Sequence, residues 1–533
     1  MNRWFWPAVL ALLAAMGLLM FQSIQLESQT YDEGFHITAG FSYWKTGDYR
    51  LNAEHPPLAK LVCALPLLFT QTVFPHLPEA WKKADQVEYF GYFVYRNKLD
   101  ADRLLLLARS ATIVLTLLLG LAIALYTRWR HSAAAALAAL FFFVTDPNFI
   151  AHGRYITTDV PVTLFIFLAI ITWLHALDTG RSRHFAWAAL ALGLALGAKF
   201  SAVFLIPVHV VVALVKRRFR AETYLATCAG ALLVVGALYW PETAQIHKLP
   251  PLATRIQSGF QLAEAAHHVA DDFHLPAHPY LIGLWNVLAH NHEGHRSYLN
   301  GKVSPTGDWR YFPTAFAVKT PAAMLLLAVP AVAFTGFPVF LLYPTAYAAA
   351  SVTSNLNIGL RHLLPIYPFL FILAGYFLAQ RLPRRVGAAL FAFAAALQIF
   401  ELARVQPHYL AFFNTPAGGP EKGHLYLLDS NLDWGQDARK LGRWRKQQNL
   451  GKLCISYFGT ASLDYYEIPQ IPLLSLPPGT DPLTLNCVAA ISANHLYDVY
   501  TTPNQHAWAR GLKPMGRIGY SIFLFDLRKP KVH

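Results

Sequence analysis

Two acids stand side by side in the run Tyr31-Asp32-Glu33-Gly34-Phe35-His36, with further aromatic residues at Phe41, Tyr43 and Trp44. A solvated loop carries such a pair at little cost. Carboxylates held among apolar groups instead tend towards raised pKa values and serve as bases. A second acidic element follows as Glu54-His55-Pro56-Pro57-Leu58. A third reads His152-Gly153-Arg154-Tyr155-Ile156-Thr157-Thr158-Asp159-Val160-Pro161, in which Thr158 or Asp159 suits a helix N-cap and Pro161 its first turn. A helix start beside Arg154 is also a ready anion site, so capping and function are compatible there. Lys199 and Arg361 are lone cations, for which snorkelling is the plain explanation. Their grouping with Arg154 and two acidic sites suits a phosphate on one side and a nucleophile-activating carboxylate on the other.

Weaker patterns lie further along. His290-Asn291-His292-Glu293-Gly294-His295 could ligate a metal, but its spacing matches neither a zincin helix nor a zinc finger, and a polar wall over a cavity explains it equally well. Asp429-Ser430-Asn431-Leu432-Asp433-Trp434-Gly435-Gln436-Asp437 looks like a calcium loop, yet its glycine falls one place late and Lys440 stands where glutamate is needed. Asp433 reads as the cap of the following helix. Cys454 and Cys487 each open a strand-like run, either as a disulfide or as free buried thiols. Cys63 and Cys228 fall in apolar segments and read as packing residues.

The elements that must position these groups belong to a membrane. Of 533 residues 55% are hydrophobic and 14% charged, where a soluble protein carries about 25% charged residues, and the mean hydropathy is +0.33. A helix needs about 20 apolar residues to cross about 30 Å of hydrocarbon. Eleven stretches qualify as candidates: 4–21, 103–126, 132–149, 158–177, 185–198, 200–215, 223–240, 318–335, 337–353, 363–380 and 386–403. With the N-terminus inside, the arginine- and lysine-rich short loops at 128–130, 181–183, 216–220 and 381–385 all fall on the cytoplasmic side. The opposite short loops hold Arg154, Lys199 and Arg361, one each. The net charge of +14 therefore reflects topology, and no nucleic-acid partner is implied.

This topology predicts a mostly α, polytopic module over 1–403, with external loops 22–102 and 241–317, and an extracytoplasmic α/β domain over 404–533. The first external loop holds a short apolar helix, Leu58 to Phe69, broken at Pro66 and suited to an interfacial or re-entrant position. The tail shows strand-like runs at 424–428, 452–458, 487–492 and 521–525, and an amphipathic helix at 436–448. No internal repeat appears, which counts against a secondary transporter. No Walker A sequence or dinucleotide fingerprint is present, which argues against a soluble nucleotide donor.

The Asp32-Glu33 pair, Glu54-His55-Pro56-Pro57-Leu58 and the turn from Arg154 to Pro161 together resemble the GT-C glycosyltransferases. The likeness is to family 39, the bacterial relatives of protein O-mannosyltransferase and of lipid A aminoarabinose transferase. Gly197-Ala198-Lys199-Phe200, the run 294–301, Arg361-His362-Leu363-Leu364-Pro365 and the run 429–437 also look like this group. The resemblance implies an inner-membrane enzyme of bacteria that takes a sugar from a polyprenyl monophosphate on the outer face. The sugar passes to an acceptor glycan, lipid or protein, with inversion. It implies a catalytic pair, with Asp32 as the general base and Glu33 positioning the acceptor or shaping the site. Lys199, Arg361, Arg154 and His55 become candidates for the donor phosphate, and Asp159, Glu54 and His362 for shaping the acceptor site.

Two departures stand out. The aminoarabinose transferases carry a lysine where this chain has His55. In those relatives the preceding acid can share a metal with a loop histidine, which makes Glu54, His292 and His295 the candidate ligands here. No cofactor is required in principle, because fixed Lys and Arg can neutralise the phosphate. The rival reading is a transporter or flippase for lipid-linked sugar; it would use buried charges inside the spans, whereas nearly all charges here sit at span ends.

Overall fold

The computed structural model describes residues 3–240, 278–335, 339–477 and 480–528. The predicted loop 241–317 is therefore described from 278 onward, and 241–277 lie outside the described residues. Helices occupy each of the eleven predicted stretches. Among the described residues six helices are long and apolar enough to cross a bilayer: Phe5–Ile24, Ala101–Arg130, Asp159–Thr179, Ala221–Leu238, Leu360–Arg381 and Arg384–Val405. A seventh candidate, Tyr311–Lys319 with Ala322–Phe334, is bent by 111° at the break between its halves. Ala133–Val144, Phe200–Val215 and Val339–Val352 are apolar but shorter. Twelve residues at 1.5 Å each reach about 18 Å, well short of the hydrocarbon thickness. Leu10, Leu18, Leu225, Leu232, Leu233, Phe393 and Phe400 face outward from these helices. A polytopic membrane protein has that surface, since lipid solvates what water would not.

The chain divides into two compact units, with the division falling between Asp32 and Glu33. The first comprises 1–32, 113–155 and 291–533; the second comprises 33–112 and 156–290.

In the second unit the helices Asp159–Thr179 and Ser182–Ala198 form a hairpin whose turn is Gly180, left-handed at φ 66°. Helix Ala221–Leu238 lies against Ser182–Ala198, and a Cβ at Gly193 would come within 2.5 Å of Val234. Only glycine permits that approach, as is common between helices in lipid. The region read as a loop contains helices at Glu33–Thr46, Pro78–Lys82 and Gln86–Tyr95. The short apolar helix is present as Leu58–Ala64, tightening to a 3₁₀ turn over Leu65–Phe69 with Pro66 in its first turn.

In the first unit a short hairpin, β1 (Ser297–Leu299) and β2 (Lys302–Ser304), precedes the tail. The tail carries a five-stranded sheet of β3 (Leu453–Ser456), β4 (Gln470–Pro472), β5 (Val488–Ser492), β6 (Gly516–Ile518) and β7 (Ile522–Asp526), in the order β4-β3-β5-β7-β6. Strand β3 is parallel to β4 and β5, while β7 is antiparallel to β5 and β6. Helix Ala438–Gln447 places Ala438 and Leu441 on a core of Leu453, Ile455, Ile468, Val488, Ile522 and Leu524. Each such side chain removed from water contributes about 2 kcal/mol. Cys454 and Cys487 form a disulfide across β3 and the start of β5.

Two expectations are corrected. Residues 424–428 do not form a strand: Tyr426 and Leu427 both donate to the Gly423 carbonyl, curling the chain into a turn, and only Leu427 bridges to Leu299. Asp433 does not cap the following helix, whose N-cap position is Asp437. The Asp433 carboxylate instead accepts from the Asn494 backbone N–H at 3.0 Å.

Candidate active site

In the first unit the chain leaves helix Phe5–Ile24 and runs along the tail segment 434–438. Ser28 N–H donates to the Gln436 carbonyl at 3.0 Å and Tyr31 N–H to the Trp434 carbonyl at 2.8 Å. Thr460 Oγ1 donates to the Tyr31 carbonyl at 3.0 Å. Asp32 follows directly, and Arg361 Nη1 donates to its Oδ2 at 3.1 Å. The Asp32 side chain keeps 27% of its surface exposed, against 8% for Arg361, so the acid is the more open partner of the pair. The guanidinium lies over the Trp434 ring at 4.2 Å.

A second carboxylate stands in the same region. Asp429 adopts φ +56°, rare for a residue other than glycine. Its carboxylate accepts from the Tyr500 hydroxyl and from Ser430 N–H, and Tyr500 also meets His295 Nε2 at 3.0 Å. Burial pushes the Asp429 carboxyl up to about 6, with the Tyr500 hydrogen bond and Arg361 pulling the other way. Burial likewise holds Asp433 well above the usual carboxylate range. Phe458 stacks between Tyr31, at 5.3 Å, and Tyr500, at 4.9 Å.

Other predicted residues of this unit are engaged elsewhere. Arg154 is fully buried, paired with Glu27 at 3.1 Å and donating to Ser23 Oγ at 3.0 Å, while the Tyr155 hydroxyl donates to the same carboxylate. A guanidinium so enclosed stabilises the fold instead of standing ready for a diffusing phosphate. His362 is half-buried, its ring 6.2 Å from Phe312. His292 is exposed.

In the second unit Glu33 is fully buried and takes a bidentate contact from Arg109, Nε to Oε1 at 2.8 Å and Nη2 to Oε2 at 2.6 Å. Ile156 N–H adds a third donor at 3.0 Å. Arg109 was not anticipated, although a lone charge inside the apolar stretch 103–126 is a signal in its own right. Lys199 Nζ meets Asp159 Oδ1 at 2.6 Å, with the lysine 12% exposed and the aspartate nearly closed off. Asp159 thus opens its helix as expected but directs its carboxylate to Lys199. The Lys60 ammonium, also not anticipated, donates to the carbonyls of Asn52 and His55 at 2.5 and 2.7 Å. His55 lies 5.5 Å from the His36 ring. Burial, followed by His36, Lys199 and Lys60, holds its pKa well below the usual histidine value, so it is neutral near pH 7. Glu54 is exposed.

Among the described residues no group of three or more His, Cys, Asp or Glu side chains is arranged to hold a metal ion. His295 meets the Tyr500 hydroxyl through Nε2 at 3.0 Å.

Fold and site together define a polytopic, mostly helical membrane protein with a sheet-containing tail and a half-open carboxylate paired to arginine. Residues 103–240 match the family described as dolichyl-phosphate-mannose-protein mannosyltransferase. No curated protein sequence matches this chain. Among solved structures it is similar to ArnT from Cupriavidus metallidurans in the apo state, at 15% identity and TM-score 0.49, covering 98% of this chain and 99% of that one. The same protein bound to undecaprenyl phosphate aligns at 14% identity and TM-score 0.48, covering 99% and 100%. The Archaeoglobus fulgidus oligosaccharyltransferase tethered with an acceptor peptide aligns at 12% identity and TM-score 0.45, covering 90% and 61%.

Proposed function

We propose that this protein is a membrane glycosyltransferase that moves a sugar from a polyprenyl monophosphate to an extracytoplasmic acceptor, with inversion and with Asp32 as general base. The observation that carries the reading is the Asp32–Arg361 pair: a carboxylate held by one guanidinium, yet still partly exposed.

The chemistry follows from the donor. Its leaving group is already a phosphate, so the protein must supply a base on the acceptor side and positive charge on the phosphate side. Asp32 takes the proton of the acceptor hydroxyl as that oxygen bonds to the anomeric carbon. The bond from that carbon to the phosphate oxygen breaks, and the electron pair leaves with the polyprenyl phosphate. Attack opposite the leaving group inverts the centre. Arg361 orients Asp32 and offers N–H donors to the departing phosphate. For Lys199 the proposal is anion contact from within its own unit, with Asp159 holding the ammonium in place. Neutral His55 contributes hydrogen bonding without charge. Glu33, closed on Arg109, fixes the start of its helix and takes no proton. The match of residues 103–240 to a family named for dolichyl-phosphate-mannose supports a lipid-phosphate donor. The undecaprenyl ligand named for ArnT suggests which polyprenol to test first. A bacterial inner membrane, with the site and tail on the outer face, completes the proposal.

The test supplies membranes containing the protein with labelled polyprenyl-monophosphate sugars and envelope extract. Label should leave the lipid and enter one new fraction, whose solubility identifies a glycan, lipid or protein acceptor. Label that stays on the lipid while changing leaflet would instead establish the transporter alternative.

A further inference from the structure

The tail segment 429–438 touches both partners of the proposed catalytic pair. On one side Ser430 Oγ donates to the Ile358 carbonyl, and Leu360 N–H donates to Asn431 Oδ1 at 2.9 Å. These bonds bracket Gly359, at φ +152°, where a Cβ would collide with Ser430 Oγ. The backbone carrying Arg361 is thereby fixed against the tail. On the other side the carbonyls of Trp434 and Gln436 hold the extended run that carries Asp32.

Trp434 reaches both. Its carbonyl accepts the Tyr31 N–H, one residue before Asp32, and its indole lies under the Arg361 guanidinium. The indole is 1% exposed. Its own position is set by the rings of Tyr155 and His152, each at 5.9 Å and turned edge-on. A guanidinium over an indole face is held in plane and shielded from water, the arrangement in which tryptophan outperforms other aromatic residues. We infer that Trp434 is a positioning residue for the transfer reaction, setting the Arg361 guanidinium against Asp32 from a single buried side chain. This inference rests on the reading of Asp32 and Arg361 given above.

The test is a double-mutant cycle on turnover of labelled polyprenyl-monophosphate sugar, with thermal stability of each variant followed in detergent. Trp434→Leu should lower kcat about 30-fold and leave the KM for donor within about 2-fold. Trp434→Phe, which keeps a weaker ring, should lose about 5-fold. In an Arg361→Ala background either change should cost less than about 2-fold, because the guanidinium it acts on is gone. Equal losses in both backgrounds would overturn the inference and leave Trp434 a packing residue. If Trp434→Leu fails to fold, Trp434→Phe carries the same comparison, and no loss from it in the wild-type background overturns the inference too. Should Asp32→Asn and Arg361→Ala both retain turnover, the reading of the site fails and the inference falls with it. If those two fail while the Trp434 effects are additive, the inference alone is wrong.

Discussion

Asp32 and Glu33 are neighbours in the chain, and each is paired with an arginine, yet they are built for different work. Asp32 receives one contact from Arg361 at 3.1 Å and keeps about a quarter of its side chain exposed. Glu33 receives two contacts from Arg109 and one from Ile156 N–H, and is sealed. A carboxylate held by three donors inside a closed site is out of reach of a substrate proton. One that stays partly exposed beside a fixed cation can be reached. Adjacent acids of one sequence motif therefore divide into a half-open carboxylate and a sealed one, through nothing more than where the rest of the chain brings its donors.

Breaking the sealed pair should give the largest effect on folding. Glu33→Gln leaves the Arg109 charge buried without its counter-charge, which costs about 3–5 kcal/mol. The expected outcome is a large loss of monodisperse protein in detergent, with recovery in Glu33→Gln combined with Arg109→Met. Full stability of the single variant would mean that the pair is not as closed as its contacts indicate.

On the open side the expected loss is kinetic. Arg361→Ala should lower kcat about 100-fold, the usual scale for removing one charge-stabilising donor, with thermal stability changed by less than about 1 kcal/mol. Arg361→Lys should recover part of the rate, since it restores the charge without the planar fork.

Asp429 extends the comparison to a third carboxylate. Its folded value of about 6 lies above the ordinary range near 4 for the unfolded chain. Its contribution to stability is fully present below about pH 4 and is lost as the pH rises through 6, because the folded state binds the proton more tightly. Asp429→Asn cannot titrate, so its stability should fall less between pH 4 and 7 than that of the wild type, by on the order of 2 kcal/mol. Thermal unfolding across that range checks the slope. Asp433, shifted in the same direction, remains in both proteins.

The smallest effect is expected at Lys199. Its replacement by alanine should lower turnover about 10-fold, most visibly at low donor concentration, as for one lost charged hydrogen bond to phosphate.

Much of this was legible in the chain. The helices lie where apolar runs demanded them, the acidic pair stands out, and the break at Pro66 was readable in advance. What the sequence hid was partnership. Arg154, Lys199 and Arg361 look alike as lone cations, but their carboxylates come from Glu27, Asp159 and Asp32, which lie 127, 40 and 329 positions away. Arg109 was overlooked because its apolar neighbours made its helix read as a plain span. Strands β4 and β6 are three residues each, one ending in proline and one beginning with glycine, and they exist because β3 and β7 offer them an edge. Asp433 failed as a cap because Asn494, from the far side of the tail, supplies its donor.

The central claim is that Asp32, and not its neighbour, takes the acceptor's proton. The direct measurement compares wild type and Asp32→Asn for transfer of label from the polyprenyl-monophosphate sugar, at equal amounts of folded protein. The account predicts a loss of about 1,000-fold, the scale of general-base removal, with unchanged thermal stability. Transfer retained within about 3-fold would contradict it.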